Sequence, residues 1–176
     1  PILGSNRLDI LNGTAEDDII FGFAGNDRID AGPGDDIVFG GSGFNSLRGG
    51  TGDDILVFGP GTNSMNGGAG LDIAILEGNR ADYDVDLFAG VTQIREPDVF
   101  GLGNTVFDIE ILQFDDGFLD FRDQSFTEGF ANDRVEALMT TPGFTTDPDP
   151  AFAATFTSTP STAQVETLVV ESEAQT

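Results

Sequence analysis

Gly49-Gly50-Thr51-Gly52-Asp53-Asp54-Ile55-Leu56-Val57 reads as a glycine-rich turn, a pair of carboxylates and three apolar residues. Counting in nines finds the pattern again in both directions. Upstream lie Gly40-Gly41-Ser42-Gly43, Ala31-Gly32-Pro33-Gly34-Asp35-Asp36-Ile37-Val38-Phe39 and Gly22-Phe23-Ala24-Gly25-Asn26-Asp27-Arg28-Ile29-Asp30. Downstream lie Phe58-Gly59-Pro60-Gly61 and Gly67-Gly68-Ala69-Gly70-Leu71-Asp72. About eight frames fit residues 4–75 without a slip in register. A period this regular is the mark of a solenoid.

The frame is G-G-x-G-x-D-x-U-x, with U apolar and positions counted from one to nine. Position six holds Asp9, Asp18, Asp27, Asp36, Asn45, Asp54, Asn63 and Asp72; position eight holds Leu11, Ile20, Ile29, Val38, Leu47, Leu56, Met65 and Ala74. Three residues with the middle one apolar predict a short strand whose central side chain points inward. Glycines let the chain reverse within the turn. Two units then make one coil, and stacked coils form two parallel sheets around a thin column of position-eight side chains.

This nonapeptide resembles the calcium-binding RTX repeat of secreted bacterial proteins, over residues 4–75. The resemblance implies an all-β fold: a right-handed parallel β-roll with calcium ions between turns one coil apart. In that family the first turn supplies the carbonyls of positions two and four plus its Asp. The second supplies the carbonyls of positions one and three plus its Asp. Six hard oxygens of this kind suit calcium.

Partners one coil apart are 18 residues apart, so alternate repeats build separate rows. Repeats beginning on an odd number carry Asp18, Asp36, Asp54 and Asp72. By the resemblance, one odd-row site takes Gly32, Gly34, Asp36, Gly49, Thr51 and Asp54. The next takes Gly50, Gly52, Asp54, Gly67, Ala69 and Asp72. A site of Asp18 with Asp36 departs from the pattern, since Glu16 stands at position four. The even row has Asp9, Asp27, Asn45 and Asn63. Its Asn45–Asn63 pair has no charge and is expected to hold no calcium. At Asp9–Asp27, Arg7 occupies position four, and its guanidinium would partly replace the ion. Asp and Asn are also ordinary turn residues. Against that reading, an unbroken stack of unneutralised carboxylates would repel itself through every coil.

Positions seven and nine point outward. In odd repeats they are Ile19 and Phe21, Ile37 and Phe39, Ile55 and Val57, Ile73 and Ile75. In even repeats they are Ile10 and Asn12, Arg28 and Asp30, Ser46 and Arg48, Ser64 and Asn66. One sheet therefore presents an apolar outer face too large to leave in water. Either the rest of the chain or another subunit is expected to cover it.

Composition narrows the chemistry. The chain carries 31 acidic residues against 7 Arg, for a net charge of −24, which disfavours nucleic acid and anionic membrane as partners. It has no Cys, His or Lys, which removes disulfides, thiolate and imidazole metal sites, catalytic triads and Schiff-base chemistry. Carboxylate chemistry alone remains, for instance at Asp115 and Asp116, and adjacent acids in a turn are more often solvated. No enzyme activity is expected. No stretch has the length of a membrane span. The chain opens on proline with repeats starting at once, which fits either loss of an initiator Met or the end of a longer protein.

Residues 1–75 are expected to be the roll, 76–123 a capping β segment and 124–176 a largely irregular tail. The alternation of residues 82–87 predicts a strand, and 91–95 a hairpin partner across Ala89-Gly90. Residues 97–104 read as loop, and 105–114 as one longer strand. Asp115-Asp116-Gly117 is a turn into Phe118 and Phe121. Residues 78–83 and 109–117 resemble the segment that closes many RTX rolls, which a solenoid needs over its last coil. Asn132 is a candidate N-cap for a short helix containing Arg134, Val135, Leu138 and Met139. Residues 140–162 have a disordered composition, followed by an apolar run at 165–170. In the family this kind of tail carries an uncleaved signal for type I secretion.

Two functions follow from the resemblance. One is a secreted or cell-surface calcium-binding roll, folding on several calcium ions after export and serving a structural or assembly role. Self-association would use the apolar odd face or the open N-terminal end of the roll, where head-to-tail joining would build a filament. The alternative is the secretion and folding module of a longer RTX enzyme or toxin.

Overall fold

A computed structural model describes residues 1–88, 91–95, 103–148 and 150–153. Nine strands trace the repeats: β1 (Ile2–Leu3), β2 (Ile10–Asn12), β3 (Ile19–Phe21), β4 (Arg28–Pro33), β5 (Ile37–Phe39), β6 (Ser46–Thr51), β7 (Ile55–Val57), β8 (Ser64–Ala69) and β9 (Ile73–Ile75). Six more follow: β10 (Asp84–Phe88), β11 (Val91–Arg95), β12 (Asn104–Phe107), β13 (Ile111–Phe114), β14 (Gly117–Asp120) and β15 (Ser125–Thr127). Two short helices are α1 (Asp133–Met139) and α2 (Pro150–Ala153).

The odd repeats build one sheet, β1-β3-β5-β7-β9-β13-β14-β15, and the even repeats the other, β10-β11-β12-β8-β6-β4-β2. Successive coils pair in parallel with an 18-residue offset, Ile19 on Ile37, Ile37 on Ile55 and Ile55 on Ile73. This is a two-sheet β-solenoid of about four coils. Position eight points inward as its period demands. Ile20, Val38, Leu56 and Ala74 from one sheet meet Ile29, Leu47 and Met65 from the other, all buried.

The run 105–114 is not one strand. It divides into β12 and β13, which lie in different sheets, with Asp108 between them at φ 47°. An apolar run carries no mark of such a break. The two halves continue the repeat register: Thr105, Val106 and Phe107 pair with Ser64, Met65 and Asn66. Ile111, Leu112 and Gln113 pair with Ile73, Ala74 and Ile75. The capping segment thus adds a further coil whose connecting turn, 108–110, is shorter than a repeat turn. The antiparallel pairs β10–β11 and β13–β14–β15 then finish both sheets, with a turn at Asp115-Asp116. The strand expected from residue 82 starts at Asp84, because residues 80–82 form a 3-10 turn in which the Asp82 carboxylate accepts the Asn79 N–H at 2.7 Å.

The apolar odd face is covered by the chain itself. Phe21, Phe39, Val57 and Ile75 are fully buried and cluster with Val135 and Leu138 of α1 and Ala153 of α2. Of the two covers expected for this face, the described residues supply the first, the chain itself. The described part of the tail carries β15, α1 and α2 between irregular stretches. Asn132 caps α1 by accepting the Val135 N–H at 3.0 Å, as its sequence predicts. The expected run at 165–170, the loop at 97–102 and the residues 89–90 lie outside the described residues. Leu138 sits in this cover at 1% exposure, so Leu138→Ala should cost about 3 kcal/mol. Urea unfolding in saturating calcium measures it; a cost under about 0.5 kcal/mol would mean the helix does not hold the face.

Candidate metal centre

From Asp27 to Asp72 each position-six side chain reaches toward the preceding coil. Asp36 Oδ1 accepts the Asp18 N–H at 2.7 Å, Asp54 Oδ1 the Asp36 N–H at 2.9 Å, and Asp72 Oδ1 the Asp54 N–H at 2.9 Å. Asp27 Oδ1 accepts the Asp9 N–H at 2.8 Å in the even row. These bonds use one oxygen per carboxylate. The second oxygens of Asp27, Asp36, Asp54 and Asp72 are buried and have no hydrogen-bond partner. A buried carboxylate oxygen without a partner is costly enough that a cation or a proton is expected there.

The backbone leaves room beside them. A Cβ on Gly49 would lie 2.2 Å from Asp54 Oδ2 and 2.7 Å from the Gly67 carbonyl oxygen. On Gly67 it would lie 2.5 Å from Asp72 Oδ2. The carbonyls of Gly32 and Gly34 point at the next coil, where Cβ atoms on Gly50 and Gly52 would meet them at 1.9 and 2.1 Å. The carbonyls of Thr51 and Ala69 face the other way, accepting the N–H groups of Gly34 and Gly52 at 2.9 Å each. The expected odd-row donors from Gly32 to Asp72 thus lie along one edge of the roll, with carbonyls of adjacent turns directed at each other. Among the described residues no three carboxylates converge, so a centre here consists of two carboxylates completed by carbonyls. Hard oxygens in that mix fit calcium.

Burial pushes Asp54 up to about 7 and Asp36 and Asp72 up to about 6, with the neighbouring acids adding to the rise. Burial raises Asp27 as well. A raised carboxylate binds its proton more tightly folded than unfolded, where 3.8 is ordinary. Without metal, stability is therefore greatest below the unfolded value and falls as pH rises through 6 to 7. With calcium the order reverses, because protons compete for the same oxygens. Thermal melts at pH 5.5 and 8, with and without chelator, should show this crossing. Parallel pH dependence in both would contradict it.

The other expected sites differ. Asp18 Oδ2 accepts the N–H and hydroxyl of Thr14 at 2.6 and 2.8 Å, and Asp9 Oδ2 those of Ser5 at 2.7 and 2.9 Å. Ser and Thr at position two thus satisfy carboxylates that glycine leaves open. No ion pair joins Arg7 to Asp9 or Asp27 among the described residues, so the expected guanidinium substitution is absent. Asn45 donates its amide to the Gly40 and Gly41 carbonyls at 3.2 and 2.9 Å, and Asn63 donates to the Gly59 carbonyl at 3.0 Å. In the even row an amide N–H does what a cation would do in the odd row.

Two features escaped the sequence reading. Position five forms a second ladder, with Asp17 accepting the Asp35 N–H and Asp35 the Asp53 N–H, each at 2.9 Å. The Arg134 guanidinium of α1 donates to the Asp53 and Asp35 carbonyls at 2.5 and 2.9 Å, placing a cation beside the row and lowering the acidity cost at Asp36 and Asp54. The position-five ladder has a signal in Asp17, Asp35 and Asp53 recurring at one repeat position. The Arg134 contacts span 81 and 99 residues, for which the sequence has no signal.

A parallel β-roll with an edge row of buried, unpartnered carboxylates facing turn carbonyls defines a repeat protein built for hard cations. Residues 3–38, 30–65 and 39–74 match the model of the RTX calcium-binding nonapeptide repeat (4 copies). Residues 3–74 are therefore RTX calcium-binding nonapeptide repeats. No curated protein matches the chain. Rolls of this family are typically structural rather than catalytic, and RTX-repeat proteins are typically secreted. No helix among the described residues is long and apolar enough to cross a membrane.

Proposed function

We propose that this protein is a secreted, extracellular calcium-binding roll with a structural or assembly role and no catalysis of its own. Calcium binds between the turns of Asp36 and Asp54 and between those of Asp54 and Asp72, and the roll folds on those ions after export. The observation that carries the reading is the set of orphaned Oδ2 atoms at Asp36, Asp54 and Asp72, stacked in coil register. The absence of His, Cys and Lys supports the non-catalytic part. In this reading residues 1–75 are the working roll, 76–123 its cap, and 124–176 both cover the odd face and carry the export signal.

Assembly uses the N-terminal end. Among the described residues the edge strands β1 and β2 have no neighbour on their outer sides, and Leu3, Leu8 and Ile10 there are 55%, 67% and 67% exposed. Unpaired strand edges beside exposed apolar side chains favour strand addition. Sedimentation in calcium and in chelator tests it: concentration-dependent oligomers in calcium, abolished by Ile10→Asp with Leu3→Asp, are expected. A strictly monomeric protein in calcium would remove the assembly role. The same open edge also suits a preceding domain, and a calcium-loaded monomer would favour the alternative of a folding and secretion module within a longer RTX enzyme.

A further inference from the structure

The repeat pattern stops at residue 75, yet the carboxylate row does not. Asp72 donates its N–H to Glu110 Oε2 at 2.9 Å, as Asp54 donates to Asp72. Glu110 thus takes the position-six place in the capping coil. It does so across 38 residues instead of 18, because residues 76–103 are inserted before the register resumes.

The backbone around it repeats the geometry of the coil before. Asp72 is 0% exposed, and its Oδ2 has no partner. A Cβ on Gly67 would lie 2.5 Å from that oxygen and 2.2 Å from the Asp108 carbonyl oxygen. At Gly49 the same place is bounded by Asp54 Oδ2 and the Gly67 carbonyl. The Asp108 carbonyl therefore stands where the next turn's position-one carbonyl would stand. Asp108 holds it there at φ 47°, a left-handed conformation unfavourable to a residue with a side chain, and the Gly68 N–H donates to the same oxygen at 3.3 Å. A buried carboxylate oxygen without a partner, set beside a carbonyl oxygen across the space that Gly67 leaves open, calls for a partner, and a shared cation supplies one.

We propose a divalent-cation site at the junction of roll and cap, formed by Asp72, the Asp108 carbonyl and Glu110, with the carbonyls of Gly68 and Gly70 by repetition of the preceding coil. The site rests on the reading of the odd row as a calcium row and extends it beyond the repeats. The short turn 108–110 has no counterpart of the position-three carbonyl, and water fills the remaining places of a calcium shell. Its occupancy ties the cap to the last repeat, so the final coil closes when the ion binds.

Native mass spectrometry of the full chain in calcium tests this with Glu110→Gln. Glutamine keeps an oxygen to accept the Asp72 N–H, as Asn45 does for Asp27 at 2.9 Å. The variant should bind one ion fewer than the wild type while its circular dichroism in saturating calcium is unchanged. An equal count in both overturns the junction site and leaves the calcium row standing. A wild type that binds no calcium overturns both. If the variant fails to fold, calcium anomalous scattering from wild-type crystals decides. A peak between Asp72 and Glu110 supports the site, and its absence beside a peak at Asp54–Asp72 overturns it.

Discussion

In excess chelator at pH 8 the roll should lose its β-sheet circular dichroism and its cooperative thermal transition, and adding calcium should restore both. Without metal, Asp27, Asp36, Asp54 and Asp72 each bury a carboxylate oxygen with no partner. Each such charge costs several kcal/mol even after relaxation, and the odd-row acids also repel one another. Folded domains have only about 5–15 kcal/mol to set against this. The arithmetic does not leave a folded apo roll at a pH where these groups are ionised. Calcium changes the sign, because the same oxygens become ligands and their binding energy becomes folding energy. The apolar cover depends on the roll, so α1 should melt with it. A transition in chelator within a few degrees of that in calcium would contradict this account.

Asp54→Asn should raise the calcium midpoint for folding at least tenfold and remove two ions, because Asp54 alone belongs to both regular sites of the odd row. The substitution keeps the ladder: an Asn oxygen still accepts from the preceding coil, as Asn45 and Asn63 do. What it adds is an amide that can donate to the carbonyls of its own turn, as Asn45 donates to Gly40 and Gly41. In chelator the variant should therefore be more stable than the wild type, while in calcium it is less stable. Circular dichroism in chelator, where the variant should keep more β structure than the unfolded wild type, and urea unfolding in calcium read this inversion. An equal calcium midpoint for folding in variant and wild type would show that Asp54 serves the fold without serving an ion.

The nine-residue period made the two sheets, their register and the inward position-eight column legible, since all follow from which residues recur. The split between an acidic, apolar odd set and a polar even set was legible too, as was the Asn132 cap of α1. The failures share a cause. Residues 105–114 looked like one strand because nothing in an apolar run announces that Asp108 breaks it. Glu110 went unseen as a member of the row because the insertion hides its register from any count in nines. Arg134 meets Asp35 and Asp53 only in the folded chain. The satisfied state of Asp9 and Asp18 was readable after all: Ser5 and Thr14, at the position where the central repeats have glycine, carry the hydroxyls that fill those carboxylates.

The central claim is that the odd row, and not the Asn rungs of the even row, holds calcium. Crystals grown in calcium, measured at a wavelength where calcium scatters anomalously, test it most directly. The account predicts peaks between the turns of Asp36 and Asp54 and between those of Asp54 and Asp72, with none between Asn45 and Asn63. An ordered roll without peaks on the odd row, or with a peak at Asn45 and Asn63, would contradict it.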